Sequence, residues 1–232
     1  MTVIPTDIFT IDQTLYCIYM SVKHWNPQGG SWICGFSGLA KSTDEGQNWT
    51  KLDLRWDGNS NFIQTAHCLV EDTLYLWGIP AGRFGGVALM KVKADEVEDG
   101  EAYEYFTGED ENGDPVFIKT LGDQIQLWFE LEQAKVIINE PVGEISVIYN
   151  EYLGNFIMTY LHEGKGIVMR EGVTPWGEWS REYVLASAGQ YASLYGGFMC
   201  PKYVEENGKV FYFAMSQFFP IYNIMWMRVE LP

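Results

Sequence analysis

One plan recurs four times along this chain, and a recurrence of that kind restricts the fold more tightly than composition does. Each copy has a short apolar strand, a turn carrying Asp, Asn or Gly, an aromatic-rich second strand, and a third strand with small residues. In the first copy Ile4–Ile11 turns at Asp12-Gln13 into Leu15–Val22, and Gly38–Ser42 follows after a loop rich in Trp, Pro and Gly. The second runs Phe62–Val70, turns at Glu71-Asp72, continues as Leu74–Ile79 and resumes at Gly86–Lys93. In the third, Glu144–Tyr149 turns near Leu153-Gly154, returns as Phe156–Leu161 and is followed by Gly166–Arg170. The fourth runs Gly197–Val204, turns at Asn207-Gly208, returns as Val210–Gln217 and ends with Tyr222–Val229.

Short antiparallel strands in repeated groups, with no helical period between them, predict an all-β propeller rather than a sandwich or an α/β enzyme. The expected blade units span about 3–55, 62–120, 142–186 and 195–231, within a single domain covering 1–232. Asp110–Asp114 reads as an acidic turn and Gln133–Pro141 as an inter-blade connector. The stretch Ser42-Thr43-Asp44-Glu45-Gly46-Gln47-Asn48-Trp49 resembles the S-x-D-x-G-x-x-W Asp-box of sialidase-like propellers. There the Asp and Gly make a tight turn between outer strands, usually far from the active site, so its expected role is structural.

The acidic balance, 31 Asp and Glu against 15 Lys and Arg for a net charge of −16, would repel a phosphate backbone or an anionic membrane surface. Nucleic acid is therefore excluded as a partner. No apolar run approaches the roughly 20 residues of a spanning helix, and Met1–Thr10 lacks the basic start and apolar core of an export signal. Membrane insertion is not expected, and the compartment stays undetermined. Cys17, Cys34, Cys68 and Cys200 are widely spaced without a C-x-x-C pair, which predicts buried free thiols. Neither they nor the three histidines form a metal-ligand pattern, so no metal and no cofactor are expected.

Several segments together resemble the family described as domain of unknown function 4185, some members of which are classed as glycoside hydrolases acting on D-arabinan. They are Ile4-Pro5-Thr6-Asp7 with Met20-Ser21-Val22, Ser37-Gly38-Leu39-Ala40, and Val142-Gly143-Glu144-Ile145-Ser146-Val147. Tyr195-Gly196-Gly197-Phe198 with Pro201, Tyr222-Asn223 and Met227-Arg228-Val229 complete the set. The resemblance implies a five-bladed propeller of which four blade units lie in this chain. It also implies an arabinan-like glycan as partner and an extracellular destination. Because proteins similar to this one carry another blade before Ile4–Val22, the expectation is either that the chain is a fragment or that a second chain or a second copy completes the ring.

Glycoside hydrolysis needs two carboxyl groups, one acting as acid and the other as nucleophile or base. Asp7 is the first candidate, because it follows Pro5-Thr6 in an apolar inner strand where an unpaired carboxylate is costly. A turn or capping Asp is the alternative. Glu144 is the second, at the mouth of a strand after Gly143; a hydrogen bond to a neighbouring blade would explain it equally. Substrate contacts are expected from Arg83, in the loop Gly82-Arg83-Phe84-Gly85-Gly86, from Arg170 at the close of an inner hairpin, and from His24, Trp25, Tyr195 and Gln217, with a solvated loop charge as the alternative for Arg83 and an inter-blade salt bridge as the alternative for Arg170. For His24 and His67 a core or loop-anchoring role competes with acid or base work. Two functions stay open at this level: a hydrolase of arabinan-like furanosides, or a non-catalytic propeller that binds glycan or protein as a module of a secreted or virion assembly.

Overall fold

The computed structural model describes residues 1–119 and 134–232. The end of the second expected blade unit at 120 and the start of the connector at Gln133 lie outside the described residues. Two compact units emerge, one of residues 1–82 with 86–137 and the other of 83–85 with 138–232.

In the first unit β1 (Thr2–Ile11), β2 (Thr14–Trp25), β3 (Trp32–Ser42) and β4 (Thr50–Asp57) form one antiparallel sheet in chain order. A second sheet follows in the order β5 (Gln64–Val70), β6 (Thr73–Ile79), β7 (Gly85–Lys93), β8 (Glu104–Glu109) and β9 (Pro115–Lys119). Alternation along the strands sends Phe9, Ile18 and Leu39 from the first sheet into one core with Leu76 and Met90 of the second, and Phe62, just before β5, joins them. Trp56 and Tyr105 are also buried there, and the Trp56 indole donates a 3.0 Å hydrogen bond to the Tyr105 hydroxyl, so this deep polar pair is satisfied.

The second unit begins with β10 (Ile138–Val142), which packs along β12. Its main sheet has the order β11 (Ile145–Asn150), β12 (Asn155–His162), β13 (Gly166–Thr174) and β14 (Gly177–Trp179), with β15 (Tyr183–Ser187) pairing to β13. A three-stranded sheet of β16 (Leu194–Glu205), β17 (Val210–Gln217) and β18 (Asn223–Glu230) completes it. Ile157, Ile167 and Met169 meet Phe211, Phe213 and Met215 in the core between these two sheets.

The turns fall where the residue types place them. Asp12, Glu71 and Asn207 take the left-handed conformation at φ 53°, 54° and 57°. Asp110 accepts from the backbone N–H of both Asn112 and Asp114 and closes the acidic turn. Between β3 and β4 the Asp44 carboxylate accepts from the Asn48 side chain and backbone, and the Ser42 hydroxyl donates to it. Those bonds hold its pKa down at about 2. Trp49 closes the same turn by donating to the Gly46 carbonyl, but its ring is only partly covered.

Several expected boundaries shift. The third strand of the first copy begins at Trp32 instead of Gly38, so Trp25 and Trp32 face each other at the ends of paired strands and not in a loop. The connector before Glu144 contains β10, because Ile138 and Val142 are buried. Cys17 and Cys34 are buried free thiols as expected, whereas Cys68 and Cys200 are only partly covered. Among the described residues no helix is long and apolar enough to cross a membrane.

Two measurements check these devices. Gly208 has φ 100°, and a Cβ there would lie 2.8 Å from Asn150 Nδ2, the amide that donates to the Gly208 carbonyl. Gly208→Ala is expected to cost about 1–3 kcal/mol in equilibrium denaturation. For Asp44 the folded pKa lies below the ordinary 3.8, so its stabilisation is fully present above about pH 4 and disappears as the pH falls through about 2. Asp44→Ala should therefore flatten the acid limb of the melting temperature between those values.

Candidate active site

Each unit presents one carboxylate withdrawn from water with half of its hydrogen-bonding capacity used. In the first unit the register of β1 against β2 slips between Pro5 and Asp7, a bulge that accommodates the proline's missing N–H. The Thr6 hydroxyl in the bulge donates to the Ile18 carbonyl at 3.2 Å, and Ile18 is the register partner of Asp7. The bulge re-aims the next side chain. Asp7 Oδ1 lies 2.8 Å from Nδ1 of His67 on β5, and the His67 ring tilts against Phe9 at 5.3 Å. The Asp7 side chain is only 12% exposed. Its Oδ2 is buried with no hydrogen-bond partner among the described residues. Thr65, on the same face of β5 as His67, also has a buried hydroxyl without a partner among those residues. Burial and the negative charge of Asp7 together push the nearby Cys17 thiol up to about 11, so it stays protonated at neutral pH.

The second unit repeats the pattern with an arginine. Glu144 directly precedes β11, and the Gly143 N–H donates to the Leu161 carbonyl at 2.8 Å. A Cβ at Gly143 would sit 3.0 Å from Leu161 Cβ and 3.3 Å from Arg83 Cγ, so the glycine lets the arginine stem pass. Arg83 donates from Nε at 2.9 Å and Nη2 at 2.7 Å, both to Glu144 Oε1, and from Nη1 at 3.4 Å to Glu163 Oε1. Its guanidinium lies 5.4 Å from the centre of the Tyr195 ring. Glu144 Oε2 is buried and has no hydrogen-bond partner among the described residues. Arg83, expected to reach a ligand, holds Glu144 through these bonds.

The remaining expected residues are placed less centrally. Arg170 stands in the middle of β13, not at a hairpin end, where it donates to Tyr160 Oη and to the Ser180 carbonyl and lies 3.8 Å from Glu182. Burial pushes the Glu182 carboxyl up, yet bonds from Lys165 and Tyr160 and the nearby cations bring it below the ordinary range. Burial and the bond to Glu182 push the Tyr160 phenol well up. This buried network is structural in form. His24 and Trp25 lie at the exposed end of β2, with the Trp25 ring 5.6 Å from Trp32. Gln217 ends β17 and donates to the Ala192 carbonyl at 2.7 Å. Glu163 was not anticipated; it follows β12 in a hairpin, and its only sequence signal is the Glu163-Gly164 turn. Among the described residues no group of three or more His, Cys, Asp or Glu side chains is arranged to hold a metal ion.

The sequence profile of the domain of unknown function DUF4185 matches residues 1–228. The chain belongs to the DUF4185 family. A search of curated proteins returns no match for this DUF4185 chain. Among solved structures it is similar to a candidate hydrolase from Bacteroides ovatus, at 14% identity and a TM-score of 0.66, covering 97% of this chain and 60% of that one. An α-L-arabinofuranosidase from Clostridium thermocellum gives 15% identity and a TM-score of 0.56, covering 100% of this chain and 69% of that one. A protein of unknown function from Dyadobacter fermentans gives 14% and 0.54, covering 98% and 76%. At such identities the likeness establishes the fold: an all-β propeller of the five-bladed type, with four blade units in this DUF4185 chain.

Removing the cation beside Glu144 tests the geometry directly. Arg83→Ala leaves a mostly buried carboxylate unpaired and is expected to cost on the order of 3 kcal/mol. The double variant Arg83→Ala with Glu144→Gln should recover most of that loss in the same denaturation experiment.

Proposed function

We propose that this chain is a carbohydrate-active propeller, a glycoside hydrolase of arabinan-like furanosides in which Asp7 and Glu144 are the catalytic carboxylates. The observation that carries the reading is the shared state of these two groups. Each side chain is mostly withdrawn from water, at 12% and 14% exposure, each has one oxygen held by a cationic or imidazole partner, and each has a second, buried oxygen with no hydrogen-bond partner among the described residues. A buried oxygen in that state is expensive unless a substrate hydroxyl, a water or a transferred proton engages it. His67 and Arg83 serve as positioning residues in this reading. Either carboxyl then protonates the leaving oxygen while the other attacks or activates water, as glycoside hydrolysis requires.

The similarity to an α-L-arabinofuranosidase supports a glycan-acting reading as an analogy of fold, and the furanoside is the choice that the family resemblance brings. Tyr195 and the exposed Trp25 offer rings on which a sugar face can stack. The turn at Ser42–Trp49 acts as an Asp-box, remote from catalysis.

The deciding experiment incubates the purified chain with D-arabinan-containing arabinogalactan and with plant L-arabinan, and separates released oligosaccharides. Products from either are expected from the wild type. Asp7→Asn and Glu144→Gln should each lower turnover by about 10²–10⁴-fold while largely sparing glycan affinity. A folded chain that retains glycan but releases nothing would instead be a binding module.

A further inference from the structure

Three side chains at β5 face the first sheet in a row. The backbone N–H of Ile63 donates to the Ile79 carbonyl at 3.0 Å, so the pairing with β6 and its alternation begin one residue before β5. Ile63, Thr65 and His67 therefore share one side of the strand, with successive side chains about 7 Å apart. The two outer members have their partners. Ile63 belongs to the cluster of Met20 and Val22, against which Ile4 packs, while His67 bonds to Asp7 and rests against Phe9. Thr65 stands between them. In the first sheet Ile4 pairs with Met20 and Asp7 with Ile18, so the backbone between those two contacts is the bulge that aims Asp7.

Thr65 is only 2% exposed, and its hydroxyl has no hydrogen-bond partner among the described residues. A valine would fill nearly the same space without the cost of withdrawing a hydroxyl from water. Asp7 Oδ2, at the bulge, is buried in the same state. These two atoms are complementary, because an ionised carboxylate only accepts whereas a hydroxyl also donates. The spacing of same-face neighbours is close to the span of two hydrogen bonds, so one oxygen atom can engage both. Tyr19 and Ser21 also carry buried hydroxyls without a partner among the described residues, but they alternate to the opposite face of β2 from Ile18.

We infer that Thr65 is a ligand-binding residue of the Asp7 site: its hydroxyl and Asp7 Oδ2 together receive one hydroxyl group, either of the water consumed in hydrolysis or of the sugar. The inference rests on the reading of the chain as carbohydrate-active. The incoming O–H donates to Asp7 Oδ2 and its oxygen accepts from Thr65, while the contact of His67 with Oδ1 fixes the carboxylate. An anionic group in the same place is repelled by Asp7. A water held this way lies in contact with the carboxylate that would take its proton, and a sugar hydroxyl held this way orients the ring.

The test compares Thr65→Val, which removes the hydroxyl, and Thr65→Ser, which keeps it, with the wild type. Turnover of D-arabinan-containing arabinogalactan and of plant L-arabinan gives kcat and KM, and electrophoresis in gels containing the same polymers gives retention. For Thr65→Val, a kcat lowered about tenfold with KM and retention unchanged assigns the position to water. A raised KM with retention about tenfold weaker assigns it to a sugar hydroxyl. Thr65→Ser should restore most of either loss; a loss it does not restore overturns the inference, because the side chain's shape rather than its hydroxyl is then what matters. Thr65→Val with wild-type kcat, KM and retention also overturns it, and leaves Thr65 at most a structural role. The hydrolase reading fails separately, in a wild type that is retained by glycan but releases nothing. Retention then reads the inference alone, and Thr65→Val must weaken it. A wild type that is neither retained nor active overturns both.

Discussion

Packing of one antiparallel sheet against the next through large apolar side chains positions everything polar in this chain. In the first unit Phe62, Trp56 and Tyr105 fill the space between two sheets so completely that β5 must lie beside β1. His67 reaches Asp7 only because of that placement. In the second unit Phe211 and Phe213 perform the same office against Ile157 and Ile167. Short strands in such an arrangement gain little from local propensity, and most of their stability comes from these shared faces.

The repeat was legible because its punctuation is chemical. Asp12-Gln13, Glu71-Asp72 and Asn207-Gly208 are turn residues for reasons of backbone conformation, and they turn the chain where they stand. The Trp25 to Trp32 segment was harder to read, since Pro27, Gly29 and Gly30 suggest a long loop. Strand pairing extends to its rim because Trp32 is buried there. The site residues divide in the same way. Asp7 stood out as a candidate from a local conflict, a carboxylate set among apolar neighbours, and Glu144 from its place at a strand mouth after Gly143. Their partners were not, because His67 is 60 residues from Asp7 and Arg83 is 61 from Glu144, and only the packed sheets bring them together.

The two carboxylates also show how one requirement is met by different means. A bulge aims Asp7, whereas a glycine admits the arginine that aims Glu144. Arg170 illustrates the converse, a cation of the kind that binds ligands elsewhere, here occupied by a phenol, a carbonyl and a carboxylate of its own sheet.

Burial keeps the thiol beside Asp7 in its protonated form. With a pKa of about 11, only on the order of one Cys17 in ten thousand is a thiolate at neutral pH, and Cys34 is in the same position. Oxidants and thiol exchange act on the thiolate. Burial thus makes Cys17 and Cys34 poor targets for both reactions.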